Sequence, residues 1–143
     1  RLYGLITSPF LHSSFGHFSS NIIPLALFSL LVQQYGTKCY WLITFGIIIS
    51  TGLLVWLFGR ASIHIGASGL VFGYLGFLII VGITSRELKQ LVITLLVGVT
   101  YGGMIWGFLP TTPGVSFESH LFGIIVGGIL GYTIGKTQRR YAT

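Results

Sequence analysis

Five long apolar stretches follow one another with only short polar breaks between them, and few architectures can accommodate such a chain. They are Phe18–Tyr35, Cys39–Phe58, Ile63–Ile83, Leu91–Leu109 and His120–Gly135. A helix needs roughly 20 apolar residues to cross about 30 Å of hydrocarbon, so the first four are close to the required length as they stand. The fifth reaches it only if its helix starts near Phe117, which brings Glu118 and His120 to the membrane boundary. Charged residues make up only 7% of the chain and mean hydropathy is +0.87, which is too little charge for an ordinary water-facing surface. The expected fold is therefore all-α, a polytopic transmembrane helix bundle in which each backbone polar group is satisfied within its own helix. With 143 residues and no polar linker, the chain has room for one domain, residues 1–143.

The breaks are Gly36-Thr37-Lys38, Gly59-Arg60-Ala61-Ser62, the charged segment from Thr84 to Lys89, and the turn-rich Pro110-Thr111-Thr112-Pro113-Gly114. If successive helices alternate in direction, Lys38, Arg86, Lys89, Lys136, Arg139 and Arg140 share one face and only Arg1 and Arg60 lie on the other. The more basic face is expected to be cytoplasmic. His17, Ser68 and His120 then all fall near external ends of helices. The net charge of +6 consists of flanks to apolar runs, not of a basic patch suited to nucleic acid. Cys39 is the only cysteine, so an internal disulfide and a thiolate metal cluster are both ruled out. The chain opens on Arg1, and nothing in it resembles a cleavable signal peptide, so it reads as an excised domain.

Glycines fall in register. Gly69, Gly73 and Gly76 recur on the third stretch, while Gly123, Gly127, Gly131 and Gly135 repeat every four residues on the fifth. Stripes of this kind let two backbones approach closely in lipid. The third and fifth helices are therefore expected to cross near Gly73 and Gly127. That crossing would set Ser68, one residue before the first stripe, beside His120, three before the second.

An idle serine, histidine or amide is costly in hydrocarbon. A serine hydroxyl becomes a nucleophile when a base removes its proton and donors stabilise the resulting oxyanion. Ser68 lies within Gly66-Ala67-Ser68-Gly69, where small neighbours permit a tight entry into a helix and access for a substrate carbonyl. His120 is the candidate base. His17 and Asn21 lie four residues apart, on one helix face, and both can donate hydrogen bonds to an oxyanion. Taken singly each has a plainer reading: Ser68 as a small packing residue, His120 as a helix-capping side chain, and His17 with Asn21 as an interhelical pin. Other chemistries fit less well. Aspartate is absent from the chain, which excludes an aspartyl dyad and a Ser-His-Asp triad. Glu118 stands two residues before His120 and faces another side of the helix, so a dyad is expected. No His-Glu-x-x-His pattern is present; His12 and His17 are five apart, and His64 reads as a loop or rim residue, so no metal or other cofactor is expected.

Three segments in this order resemble the rhomboid family of intramembrane serine proteases: Leu11-His12-Ser13-Ser14-Phe15-Gly16-His17 with Asn21, Gly66-Ala67-Ser68-Gly69, and Ser119-His120-Leu121-Phe122-Gly123 followed by Gly127. The resemblance covers essentially the whole chain. It implies a six-helix core, five of whose transmembrane helices are in this fragment and whose first is absent, with a water-filled cavity open to the external face. It implies Ser68 as nucleophile and His120 as general base, with the Ser68 N–H, His17 and Asn21 forming the oxyanion hole. Gly66 would admit the substrate backbone, and Gly69, Gly73, Gly123 and Gly127 would serve close helix packing. Phe72 stands where many relatives carry a tyrosine packed on the catalytic histidine; it keeps the ring and lacks the hydroxyl.

The expected activity is that of a serine endopeptidase acting on transmembrane segments near their external ends, in a bacterial plasma membrane. Its partners would be transmembrane protein substrates and the lipid bilayer. Two other readings use the same residues: a non-proteolytic rhomboid-like protein that binds membrane clients, and a small transporter or channel subunit. Retention of both Ser68 and His120 disfavours the first. The near-absence of intramembrane charge disfavours the second.

Overall fold

The computed structural model describes the backbone of residues 15–60, 67–108 and 116–141 and the side chains of 19–60, 67–106 and 116–140. Five α-helices follow one another: α1 Phe15–Gln33, α2 Thr37–Phe58, α3 Ser68–Ser85, α4 Leu88–Tyr101 and α5 Phe117–Tyr141. No strand occurs among the described residues. Segments long and apolar enough to cross a membrane are Thr37–Phe58, Ser68–Ser85, Leu88–Trp106 and Phe117–Arg140, while the apolar part of α1, Ser19–Gln33, is shorter. Large apolar side chains such as Trp41, Phe45, Trp56, Leu95 and Val99 point outward. Lipid makes that exposure favourable, and the chain is an integral membrane helix bundle.

α3 is the central helix. Thirteen of its eighteen residues are buried, and it packs against α1, α2, α4 and α5, most extensively against α5. Helix crossings in lipid depend on close packing and on polar pins, and both are present. Tyr74 of α3 is fully buried, with its hydroxyl 2.7 Å from the Thr44 hydroxyl of α2. Ser29 and Tyr40 join α1 to α2 at 2.7 Å, the Tyr35 hydroxyl donates to Gln90 Oε1 of α4 at 2.7 Å, and Thr94 Oγ1 of α4 donates to the Leu78 carbonyl at 2.8 Å. Bonds of this type contribute roughly 0.6–2 kcal/mol each in a membrane.

The glycine stripe of α5 lies along the α3 backbone. A side chain started at Gly123 would meet the Gly69 carbonyl, one at Gly127 the Gly73 carbonyl, one at Gly131 the Phe77 carbonyl at 2.6 Å, and one at Gly135 the Val81 carbonyl at 2.9 Å. The α3 stripe serves two neighbours. Gly76 opens toward the Ile124 carbonyl of α5, but the bare side of Gly73 faces Ile47 of α2. The two helices meet at Gly73 and Gly127 through the Gly73 backbone, with room for Ile47 on the other side.

The last two helices end elsewhere than the sequence reading put them. The fourth α-helix ends at Tyr101 and tightens into a 3-10 helix over Gly102–Phe108, where the expected apolar run continued to Leu109. The adjacent Gly102 and Gly103 weaken α-helical continuation there. The fifth helix starts at Phe117, as its length requires, and runs past Gly135 to Tyr141, carrying Lys136, Arg139 and Arg140 out of the apolar span. Between α1 and α2 the chain reverses at Gly36, whose φ of 92° suits only glycine well.

Candidate active site

Ser68 opens α3. The Ala67 carbonyl accepts the N–H groups of Leu70 and Val71, both at 3.0 Å, so the hydrogen-bond ladder begins immediately before the serine. First-turn N–H groups have no carbonyl within their own helix and sit at the positive end of its dipole. Ser68 is only 7% exposed, so those donors and its hydroxyl act in a low-dielectric setting.

His120 lies in the first turn of α5, which begins at a serine cap. Ser116 Oγ accepts the Ser119 N–H at 3.2 Å and shares a hydroxyl hydrogen bond with Ser119 at 2.8 Å, while the His120 N–H points to the Ser116 carbonyl at 3.4 Å. The imidazole is 6% exposed and stacks on the Phe72 ring, with centroids 4.1 Å apart and planes 14° from parallel. Phe72 is four residues after Ser68, one turn along the same face of α3. The backbones meet at this level too. A side chain at Gly69 would start 3.5 Å from the Ser119 carbonyl, and Gly123 abuts the Gly69 carbonyl. The starts of α3 and α5 thus lie side by side, with Ser68 and His120 both buried there. The chain carries that geometry through Phe72 and through glycines at the positions where a Cβ would collide with backbone.

Asn21 is buried in α1, at 6% exposure. His17 belongs to the same helix, one turn earlier, and its side chain lies outside the described residues, as does the whole of Gly66.

Glu118 does not serve His120. Its carboxylate accepts Arg60 Nε at 2.5 Å, Arg60 Nη2 at 3.4 Å and the Arg60 backbone N–H at 3.4 Å, while the guanidinium lies 4.7 Å from the centre of the Phe117 ring. This clamp ties the end of α2 to the turn of α5 that carries His120. Sequence reasoning passed over it, although its alternating topology had already put Arg60 and Glu118, of opposite charge, on one face. The Ser116 cap was also legible, as a serine placed just before an apolar run.

The clamp is asymmetric, since Glu118 is 7% exposed at its side chain and Arg60 is 59% exposed. Removing the arginine leaves a buried carboxylate without its main partner, whereas removing the glutamate leaves a guanidinium that water can solvate. Arg60→Ala is therefore expected to lower the thermal unfolding midpoint in detergent more than Glu118→Ala does. Equal effects would show that the pair acts only through packing.

A polytopic helical membrane protein with a buried serine and histidine at adjoining helix starts is the class that fold and site define. The chain belongs to the rhomboid family, whose Rhomboid domain model matches residues 1–137. It is 36% identical to an uncharacterized protein of Mycobacterium tuberculosis over 97% of this chain and 62% of that protein. It is 32% identical to an uncharacterized protein of Mycobacterium leprae over 97% of this chain and 59% of that protein. With YdcA of Bacillus subtilis, assigned to the rhomboid proteases, it shares 29% identity over 96% of this chain and 70% of that protein. The chain thus spans about three fifths of the length of the mycobacterial relatives. No solved structure matches it.

Proposed function

We propose that this chain is an intramembrane serine endopeptidase that uses a Ser68–His120 dyad to cleave transmembrane segments near their external ends, in a bacterial plasma membrane. One observation carries the reading. The His120 ring lies flat on Phe72, one helical turn from Ser68, where glycines let the α3 and α5 backbones touch.

In this mechanism His120 takes the Ser68 hydroxyl proton as the oxygen attacks the scissile carbonyl. The Ser68 N–H, Asn21 and His17 hold the oxyanion, and the α3 dipole adds to their effect. His120 then gives its proton to the departing amine, which leaves an acyl ester on Ser68. His120 then takes a proton from a water molecule as its oxygen attacks the ester carbonyl, and gives that proton to the Ser68 oxygen as the carboxylic acid product leaves. Aspartate is absent and Glu118 is engaged by Arg60, and the Phe72 stack is one contact that orients the His120 ring. An imidazolium over a phenyl face is also favourable, which supports the charged state that forms during attack. A substrate helix must unwind to present its carbonyl, so small and helix-breaking residues near the cut are favoured.

The test is cleavage of a model transmembrane substrate by the chain in proteoliposomes, compared with Asn21→Ala. An oxyanion donor acts on the transition state, so this variant is expected to lose turnover with little change in KM. Loss of one such donor costs about 10²–10³ in a water-soluble serine protease, and the Ser68 N–H and His17 would moderate that. A rise in KM with turnover unchanged would move Asn21 from the oxyanion hole to substrate docking.

A further inference from the structure

An apolar groove of about 430 Å³ runs between α3 and α5. Gly76, Ile80, Ile125, Gly128 and Ile129 are among the residues that line it. Ile125 and Ile129 are exposed toward the membrane. At Gly128 a side chain would start 3.5 Å from Ile80 Cγ1, so a large one there would extend across the groove toward α3.

The groove leads to a basic end. Tyr132 completes the lining, and the Lys136 ammonium sits 5.5 Å from the centre of the Tyr132 ring. Positions 125, 129, 132, 136 and 140 share one face of α5 by helical spacing, with Arg139 adjacent, so the apolar wall passes into Lys136, Arg139 and Arg140 on the same side. All three are exposed. Gly135 packs against Val81 and Ser85, which sets Lys136 level with the end of α3. Arg86 and Lys89 flank the α3–α4 connection at that end of the bundle, where Glu87 supplies the one carboxylate of the segment.

We propose that this groove binds one anionic phospholipid of the bilayer, with an acyl chain lying across Gly128 and the phosphate beside Lys136. Both halves of the site argue for a lipid. A free phosphate would not fill the apolar groove, and a neutral lipid would gain no charge attraction from the Lys136 ammonium. A second copy of the chain would bring like charges together. Basic side chains at a membrane surface attract anionic headgroups, and basic pockets between transmembrane helices hold them. Its basic end lies toward the end of α5 remote from His120, and the site does not depend on the catalytic reading.

Native mass spectrometry of the full chain in detergent, titrated with equal amounts of phosphatidylglycerol and phosphatidylcholine, tests the proposal. The expected result is a single retained phosphatidylglycerol, favoured at least tenfold over phosphatidylcholine. Lys136→Gln should weaken retention about fivefold, the effect of one basic side chain near the surface. Gly128→Leu keeps every charge and fills the groove, so it should remove the bound lipid. Ile129→Trp crowds the groove from a membrane-facing position and should do the same if the leucine variant does not fold. Equal retention of the two lipids, unchanged retention in Lys136→Gln, or a lipid that survives a folded groove-filling variant would each overturn the proposal. So would a lipid-free dimer.

Discussion

Ser68→Ala and His120→Ala are each expected to reduce cleavage of a reconstituted transmembrane substrate to background, a loss of about 10⁴–10⁶ in turnover. The double variant should be no worse than either single one, because a nucleophile without its base and a base without its nucleophile fail at the same step. Both variants should remain folded. Ser68 loses only a hydroxyl, and α5 keeps its Ser116 cap and its glycine contact with α3 when the imidazole is gone. His120→Ala does lose the Phe72 stack, so its unfolding midpoint is expected to fall further than that of Ser68→Ala. Substantial cleavage by purified Ser68→Ala would assign the nucleophile elsewhere.

The second large effect is expected at a residue that carries no chemistry. A side chain begun at Gly127 falls on the Gly73 peptide, with the Gly73 carbonyl carbon at 2.6 Å and its Cα at 2.9 Å. Backbone cannot rotate aside, so Gly127→Val must separate α3 from α5. Overpacking costs roughly 1–3 kcal/mol and more where nothing can yield, and a displacement of about 1 Å between nucleophile and base costs on the order of 10² in rate. Gly127→Val is expected to lose at least that much activity together with several degrees of unfolding midpoint.

Gly73→Val is expected to be damaging for a different reason, because its side chain would meet Ile47, with Cδ1 at 3.0 Å and Cγ1 at 3.1 Å. Adding Ile47→Ala should therefore restore much of what Gly73→Val loses and nothing of what Gly127→Val loses. Gly46→Val starts 3.4 Å from Leu130 Cδ1, an ordinary contact, and should be mild. Equal damage at all three glycines, indifferent to residue 47, would mean that bundle packing in general is being disturbed and not the α3–α5 contact.

These glycines show what the sequence made legible and what it did not. Apolar length marks a membrane helix whatever surrounds it, so the five helices could be placed from the chain alone. The α5 stripe, repeating every four residues, identified its own packed face. Which neighbour met each α3 glycine was not legible, because α3 is apolar on every side and contacts four helices. When core and solvent are both apolar, a hydrophobic pattern carries little information about direction. The polar pins escaped for a related reason: Thr44, Tyr74, Ser29 and Tyr40 look like ordinary members of apolar runs until the helices are brought together.

Near the site, the position of Glu118 two residues before His120 was enough to argue that it would not orient the imidazole. Its engagement with Arg60 required knowledge of how two loops converge. Phe72 stood out in the sequence only through the family resemblance. In the structure its ring stacks nearly parallel on His120.

The central claim is that Ser68 is made nucleophilic by His120, and a fluorophosphonate probe addresses it without any choice of substrate. Such a probe phosphonylates an activated serine, and peptide mass spectrometry locates the adduct. The account predicts one adduct on Ser68 in the folded wild-type protein and none in His120→Ala, whose serine is present but has lost its base. Labelling that persists in Ser68→Ala, or a Ser68 that reacts equally with and without His120, would contradict it.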